Sequence, residues 1–186
     1  REERVRIVHC GFKRVCDVPE APRGDVREPF FLCVGVVKQR KNTLAVVEAF
    51  AEYCAQGGDG SLVLGGRMEG GYADRVRRAI AESGIADRIQ AIGHLNDGEL
   101  SYLYRRARAL VFPSLIEGFG YPILEAMHCG TPVITSRCSS LAEVAGDAAL
   151  LSDPRDPHAI ARAMLQVARG RELRISLINR GRERAA

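Results

Sequence analysis

Pro113-Ser114-Leu115-Ile116-Glu117-Gly118-Phe119-Gly120-Tyr121-Pro122-Ile123-Leu124-Glu125-Ala126-Met127-His128-Cys129-Gly130-Thr131-Pro132-Val133-Ile134 reads as a strand end, a Gly-rich turn, a short helix, a Gly stop and a second strand. Gly118 and Gly120 allow close backbone approach to a ligand and a left-handed φ where one is needed. Pro122 suits the first helical turn, where its missing N–H costs nothing. The free N–H groups of that turn, reinforced by the helix dipole, make an anion site. Glu117 and Glu125 bracket the turn with seven residues between them. A turn that can hold a phosphate between two carboxylates suits a ligand carrying both phosphate and hydroxyl groups.

The stretch sits in a chain that repeats its strand–helix alternation. Phe30-Phe31-Leu32-Cys33-Val34-Gly35-Val36-Val37 is a continuous apolar run of strand length, as expected of a strand buried on both faces of a parallel sheet. Asn42 is the expected cap of a helix over about 43–56, and Gly57-Gly58-Asp59-Gly60 ends it. Further strands are predicted at 61–66, 88–93, 109–112 and 132–135, with Ala149-Leu150-Leu151 closing the series. Helices are predicted at 72–83, at 98–107 with Asp97 as cap, at 141–145, at 157–169 started by Asp156-Pro157, and at 172–183. This pattern gives an α/β fold: a doubly wound, mostly parallel, Rossmann-like sheet of about six strands. Ligands bind such sheets at the carboxyl ends of the strands. Lys41, Arg67, Gly93, Ser114–Gly120 and Ser136 all follow strands directly.

At 186 residues the chain suits one such domain. Residues 1–29, with Val5-Arg6-Ile7-Val8 as a short strand followed by a Pro-rich charged stretch, read as a connector, and 30–186 as the domain. The composition, 46% hydrophobic and 27% charged, is that of a soluble globular protein. The net charge is +4, and its most basic segment, Arg169 to Arg184, lacks aromatic residues to stack on bases, so no nucleic-acid partner is expected. Cysteines at 10, 16, 33, 54, 129 and 138 form no Cys-x-x-Cys pair and no zinc spacing. They read as thiols of a reducing compartment. No apolar run approaches the roughly 20 residues of a membrane span, and Arg-Glu-Glu-Arg at the start is no signal peptide. The absence of an initiating Met suggests a piece of a longer protein.

Arg40 and Lys41 follow the first strand at the start of a helix. They read either as solvated charges or as a diphosphate clamp, and their place on the ligand rim favours the clamp. Glu125 is surrounded by Ile123, Leu124, Ala126 and Met127, a setting in which a carboxylate needs hydrogen-bond donors. Ribose hydroxyls can supply them, as they do for the acidic residue of dinucleotide folds. Glu117, on the turn, accepts from sugar hydroxyls, or is a helix-start acid stabilised by the dipole.

From about Val5 the chain resembles the C-terminal, donor-binding domain of family-4 retaining glycosyltransferases with the GT-B fold, mannosyltransferase-like members among them. The residues that carry the resemblance are Val34-Gly35 followed by Lys41-Asn42, Gly93-His94-Leu95, Phe112-Pro113-Ser114, Glu117-Gly118-Phe119-Gly120 through Glu125-Ala126-Met127, and Cys129 through Ile134. The resemblance implies a nucleoside-diphosphate sugar donor, GDP-mannose or a UDP- or ADP-hexose, with no metal cofactor. It implies that Lys41, aided by Arg40, meets the diphosphate. Glu117, as the catalytic-site acid, would hold the sugar with the backbone of Gly118, Phe119 and Gly120. Tyr121 and Leu124 join the substrate-binding set. Glu125 would bind the ribose, and Gly93, His94 and Leu95 would flank the base. Many members carry an Arg directly after the glycine matching Gly35, and here Val36 stands there with Arg40 nearby. His128 replaces a small residue frequent before the Cys-Gly and reads as a helix-end residue.

By the same resemblance the acceptor, a glycan, lipid or small molecule, sits mainly on an N-terminal domain that partners this one. The expected location is cytoplasmic, peripheral at the inner membrane face through that domain, and the isolated fragment is expected to be inactive. Another nucleotide-sugar enzyme of the same fold, such as an epimerase or a phosphorylase, is an alternative. A phosphorylase needs a late pyridoxal lysine, whereas Lys13, Lys38 and Lys41 are the three lysines here. A non-catalytic binding or scaffold module is the other alternative.

Overall fold

The computed structural model describes residues 11–12, 18–22 and 24–186. The expected strand at Val5–Val8, with Cys10 and Cys16, lies outside the described residues. Six parallel strands run β1 (Phe30–Val34), β2 (Ser61–Gly65), β3 (Ile89–Gly93), β4 (Ala109–Phe112), β5 (Val133–Ser136) and β6 (Leu150–Ser152). Their order in the sheet is β3-β2-β1-β4-β5-β6, every neighbouring pair parallel. The helices are α1 (Thr43–Ala55), α2 (Gly71–Glu82), α3 (Asp97–Arg106), α4 (Tyr121–His128), α5 (Ser140–Ala145), α6 (Pro157–Arg169) and α7 (Arg171–Arg184). The expected α/β, doubly wound, Rossmann-like sheet is therefore present. The order reverses between β1 and β4, which puts the ligand crevice of such folds above their carboxyl ends.

The continuous apolar strands are explained by a core on each face. Phe31, Cys33, Leu62, Leu64, Val111 and Ile134 point toward α1, α2 and α6. Phe30, Leu32, Val34, Val63, Leu110, Phe112 and Val133 point the other way, toward α3, α4 and α5. Successive residues of one strand thus serve opposite cores, so both faces are mainly apolar, and the buried hydroxyls of Ser61, Thr135 and Ser136 each donate to a backbone carbonyl. On the first face Phe31, Phe50 and Tyr53 form a ring cluster, with the Phe31 and Tyr53 centroids 5.1 Å apart and edge-on. Helix α7 leans on α4, and its Gly181 lets the Met127 side chain come close.

Two expected caps are corrected. Asn42 does precede α1, but it is left-handed (φ 60°) and its side chain caps nothing. Its amide nitrogen instead donates to the Pro113 carbonyl at 3.2 Å and the Pro154 carbonyl at 2.6 Å. Asn96, not Asp97, caps α3: its side chain accepts from Glu99 N while the Glu99 carboxylate accepts from Asn96 N. This reciprocal pair satisfies two otherwise orphaned donors. Arg88, expected in a strand, lies in a single 3₁₀ turn and donates to the carbonyls of Gly58 and Gly60. Asp156 caps α6 as expected, accepting from Ala159 N.

At the amino end of the sheet Arg108 ties β4 to the end of α1. Its guanidinium donates to both Asp59 carboxylate oxygens, at 2.5 and 3.0 Å, and to the Tyr53 hydroxyl at 2.9 Å. Hydrogen bonds from Arg108 hold the Asp59 carboxyl at about 2, against an ordinary 3.8. Since the native value is depressed, the contribution is present above pH 3.8 and is lost as pH falls toward 2. Solvent screening of the exposed carboxylate keeps it to about 1 kcal/mol. Urea unfolding between pH 5 and 2 should show this slope in the wild type and a weaker one in Arg108→Met.

Candidate functional site

Above the carboxyl ends of β1 and β4 the chain brings together residues 76 positions apart in sequence. Lys41 Nζ lies 2.7 Å from Glu117 Oε1, and Arg40 Nη1 lies 3.0 Å from Glu117 Oε2. Lys41 and Glu117 are largely buried, with 13% and 10% of their side chains exposed, whereas Arg40 is half exposed. The Lys41 stem runs over Gly35, where a Cβ would sit 3.4 Å from Cε, and its ammonium stands 4.5 Å from the centre of the Phe112 ring. Backbone bonds fix the arrangement. Leu115 N donates to the Arg40 carbonyl at 2.8 Å, and Asn42 reaches Pro113, so the loop after β1 is tied to the loop after β4.

Burial alone would push the Glu117 carboxyl up. The Lys41 ammonium, the buried Ser114 hydroxyl and the Arg40 guanidinium outweigh it and hold the group below the ordinary 4.5. Glu117 is therefore a carboxylate at neutral pH, an acceptor and not a proton donor. Beneath the cluster, burial pushes the Cys33 thiol up to about 12, against the opposing pull of Lys41, so it is an inert core group.

The turn between Glu117 and α4 is held from outside by the β5–α5 loop. Ser139 Oγ donates to the Glu117 carbonyl at 2.7 Å and accepts from Glu117 N at 3.2 Å. Ser140 Oγ is 3.0 Å from the carbonyls of both Glu117 and Phe119. Ser139 achieves this with φ 60° and ψ −152°, a backbone region that glycine alone occupies without strain. Gly120 has φ 110°, and a Cβ there would lie 2.6 Å from Leu141 Cδ2. Gly118 is different: its φ is not left-handed, and nothing lies within 4 Å of an added Cβ. The steric need for glycine at Gly120 comes from the protein itself, whereas the space over Gly118 is open.

The remaining predicted residues fall into three places. Tyr121 opens α4, exposed, its ring 5.0 Å from that of Phe119. Leu124 is 8% exposed and packs in the core, reaching a 430 Å³ cavity it shares with Phe12, Phe119 and Val144. Glu125 stands on the second turn of α4, where Oε2 accepts from the hydroxyl of fully buried Tyr104 at 3.0 Å. The two acids thus keep separate partners. His128 is the last residue of α4 and meets Phe12 edge-on.

His94 and Leu95 border a second feature, a 320 Å³ cavity at the ends of β1 and β2, where they face Gly35, Gly65 and Gly66, while Gly93 ends β3 beside it. Its walls are laced by Gly35 N to Gly65 O at 2.8 Å and Gly66 N to Gly93 O at 2.6 Å. A Cβ on Gly66 would lie 2.1 Å from the Gly35 oxygen, and one on Gly65 2.6 Å from Leu95 Cδ1. Sequence reasoning missed Gly65, Gly66, Ser139 and Ser140. The Gly-Gly pair at the end of a strand was a usable signal, but nothing local marks the serines. Among the described residues no group of three His, Cys, Asp or Glu side chains is placed to hold a metal.

Residues 19–184 match the family described as glycosyl transferases group 1. The chain is 39% identical over 146 residues to O-antigen chain mannosyltransferase B of Escherichia coli, covering 74% of this chain and 36% of that protein. It is 33% identical to O-antigen chain mannosyltransferase RfbU of Salmonella typhimurium, covering 70% of this chain and 36% of that one. Among solved structures, sucrose-phosphate synthase of Thermosynechococcus elongatus superposes with a TM-score of 0.75 at 31% identity, over 85% of this chain and 40% of that one. The Anabaena HepE protein in complex with UDP-glucose has a TM-score of 0.76 at 19% identity, over 85% and 44%, a likeness of fold. The chain spans little more than a third of these curated relatives. With a family match along nearly the whole of a GT-B-type Rossmann domain, this chain belongs to the group 1 glycosyltransferases.

Proposed function

We propose that this domain binds a nucleoside-diphosphate hexose, as the donor half of a retaining glycosyltransferase whose N-terminal domain carries the acceptor. The observation that carries the reading is the Lys41–Glu117–Arg40 cluster at the ligand end of the sheet. A cation largely withdrawn from water and next to a helix N-terminus is suited to a diphosphate. In this reading Lys41, with half-exposed Arg40, stabilises the negative charge that grows on the departing nucleoside diphosphate as its bond to the sugar breaks. The first-turn amides of α4 add to it, and no step needs a metal. Glu117, kept ionised, accepts from sugar hydroxyls, and Gly118, Phe119 and Gly120 bring backbone against the sugar. Glu125 accepts from the ribose, and the cavity beside Gly93, His94 and Leu95 takes the base.

Relatives named as mannosyltransferases of O-antigen chains favour a mannosyl donor; in this reading the N-terminal domain holds the protein at the cytoplasmic face of a membrane. No helix among the described residues is long and apolar enough to cross one. The epimerase alternative has the same donor site, and product analysis with and without acceptor separates the two.

Calorimetry of the full-length protein with GDP, UDP and ADP tests the reading: one should bind at micromolar concentrations, and binding of none would overturn it in favour of a scaffold. Gly118→Ala gives a sharper result. Because the space over Gly118 is empty and its φ ordinary, the melting temperature should stay within about 2 °C. The affinity for the matching nucleotide sugar should still fall by about 10-fold or more, as expected where a methyl meets a bound ligand. An unchanged affinity would remove this turn from the site.

A further inference from the structure

Tyr104 is fully buried in the apolar core cluster that also holds Leu103, Leu124 and Met127, a setting in which a phenol needs an acceptor. It finds Glu125 Oε2 at 3.0 Å, across the gap between α3 and α4. The residue is pinned from behind as well: the buried Thr131 hydroxyl donates to the Tyr104 carbonyl, and Thr131 N donates to Ala126 O at 2.9 Å. The turn that ends α4 therefore grips both the helix carrying Glu125 and the helix carrying the phenol. Glu125 itself is only partly buried, while its Oε2 meets a phenol that is fully buried.

We propose that Tyr104 is a positioning residue for nucleotide recognition: it holds the Glu125 carboxylate in the one orientation that meets the ribose hydroxyls. The inference rests on the ribose reading of Glu125 given above. A carboxylate has about four lone-pair directions. A fixed donor on Oε2 uses one of them and removes the rotamer freedom that a ribose diol would otherwise have to freeze out on binding. Burial pushes the Tyr104 phenol well above its ordinary value, and the neighbouring Glu125 charge pushes it further, so it remains a hydrogen donor across the working pH range. A tyrosine that cannot ionise and cannot move is a better orienting group here than water or a serine.

The test compares GDP, UDP or ADP, whichever binds, with its 2′-deoxy counterpart on the full-length protein by calorimetry. Wild type should favour the ribonucleotide by about 10-fold, the size of one hydrogen bond to a charged group. Tyr104→Phe keeps shape and packing, and should narrow that ratio to about 2-fold while far-UV circular dichroism is unchanged. In a Glu125→Gln background, adding Tyr104→Phe should leave the ratio where Glu125→Gln alone puts it. If Tyr104→Phe weakens both nucleotides equally and keeps the 10-fold ratio, the phenol is merely structural and the proposal fails. If wild type itself does not distinguish ribose from deoxyribose, the ribose reading of Glu125 fails instead.

Discussion

Lys41→Ala in the full-length protein should reduce sugar transfer by about 10²–10³-fold, the cost of removing one preorganised donor from a site of developing negative charge. It should also destabilise the fold, by about 2–3 kcal/mol, because Glu117 then remains largely buried without its nearest cation. These two losses have separate causes and can be taken apart. The Lys41→Ala/Glu117→Ala double variant removes the stranded charge, so urea unfolding should return most of the lost stability. Transfer should stay at the level of the single variant or below it. If transfer recovered along with stability, Lys41 would be a structural residue and the diphosphate role would be wrong. The pH dependence gives a second check. In wild type the Glu117 carboxyl is held below 4.5, so its contribution is present above that value and fades as the solution becomes more acidic. Without Lys41 the desolvation of Glu117 is opposed only by Ser114 and Arg40, its pKa moves up, and the stability deficit of Lys41→Ala should shrink as pH falls through this range.

The second large effect is expected at Gly66→Ala. The added methyl would lie 2.1 Å from the Gly35 carbonyl oxygen, a backbone atom that cannot turn aside, on a residue with φ 141°. Strain and overpacking together should cost about 3 kcal/mol or more. Relief requires parting the loops after β1 and β2, which would break the Gly35–Gly65 and Gly66–Gly93 bonds and reshape the cavity beside His94. Nucleotide affinity should therefore fall by at least about 10-fold, read by calorimetry at a temperature where the variant is folded. Gly70→Ala is the control, since its φ is 80° but nothing lies within 4 Å of the new methyl. It should lose about 1 kcal/mol and keep its affinity. Equal behaviour of the two variants would show that the close approach at Gly66 has no role in shaping the cavity.

The architecture was legible because its causes are local and repeated. A parallel strand covered on both faces is apolar along its buried length, and Phe30–Val34, residues 62–64 and Ala109–Phe112 satisfy that without reference to their partners. Helix starts were harder, because a capping residue is chosen by whatever else competes for its side chain. Asn42 looks like a cap, yet two carbonyls from loops 71 and 112 residues away claim its amide. Asn96 and Asp97 are both good caps by type, and only the reciprocal bond from Glu99 decides between them. For the site, the sequence offered Arg40, Lys41, Glu117 and Glu125 as separate groups on one rim. That three of them form a single ion-paired cluster depends on β1 lying beside β4, a fact of strand order and not of spacing. Tyr104 and Ser139 were invisible for a related reason. Their only sign is the neighbour they touch, and that neighbour comes from another helix or loop.

Ser139 has a practical consequence for anyone redesigning this domain. A procedure that scores stability alone would write glycine there, since glycine removes the backbone strain of roughly 1 kcal/mol that serine carries at φ 60°. The same change would delete the hydroxyl that grips Glu117 from both its N–H and its carbonyl. Thermostability and precision in the turn proposed to hold the sugar are set against each other at this one residue, and a gain in melting temperature won there is a warning sign for turnover.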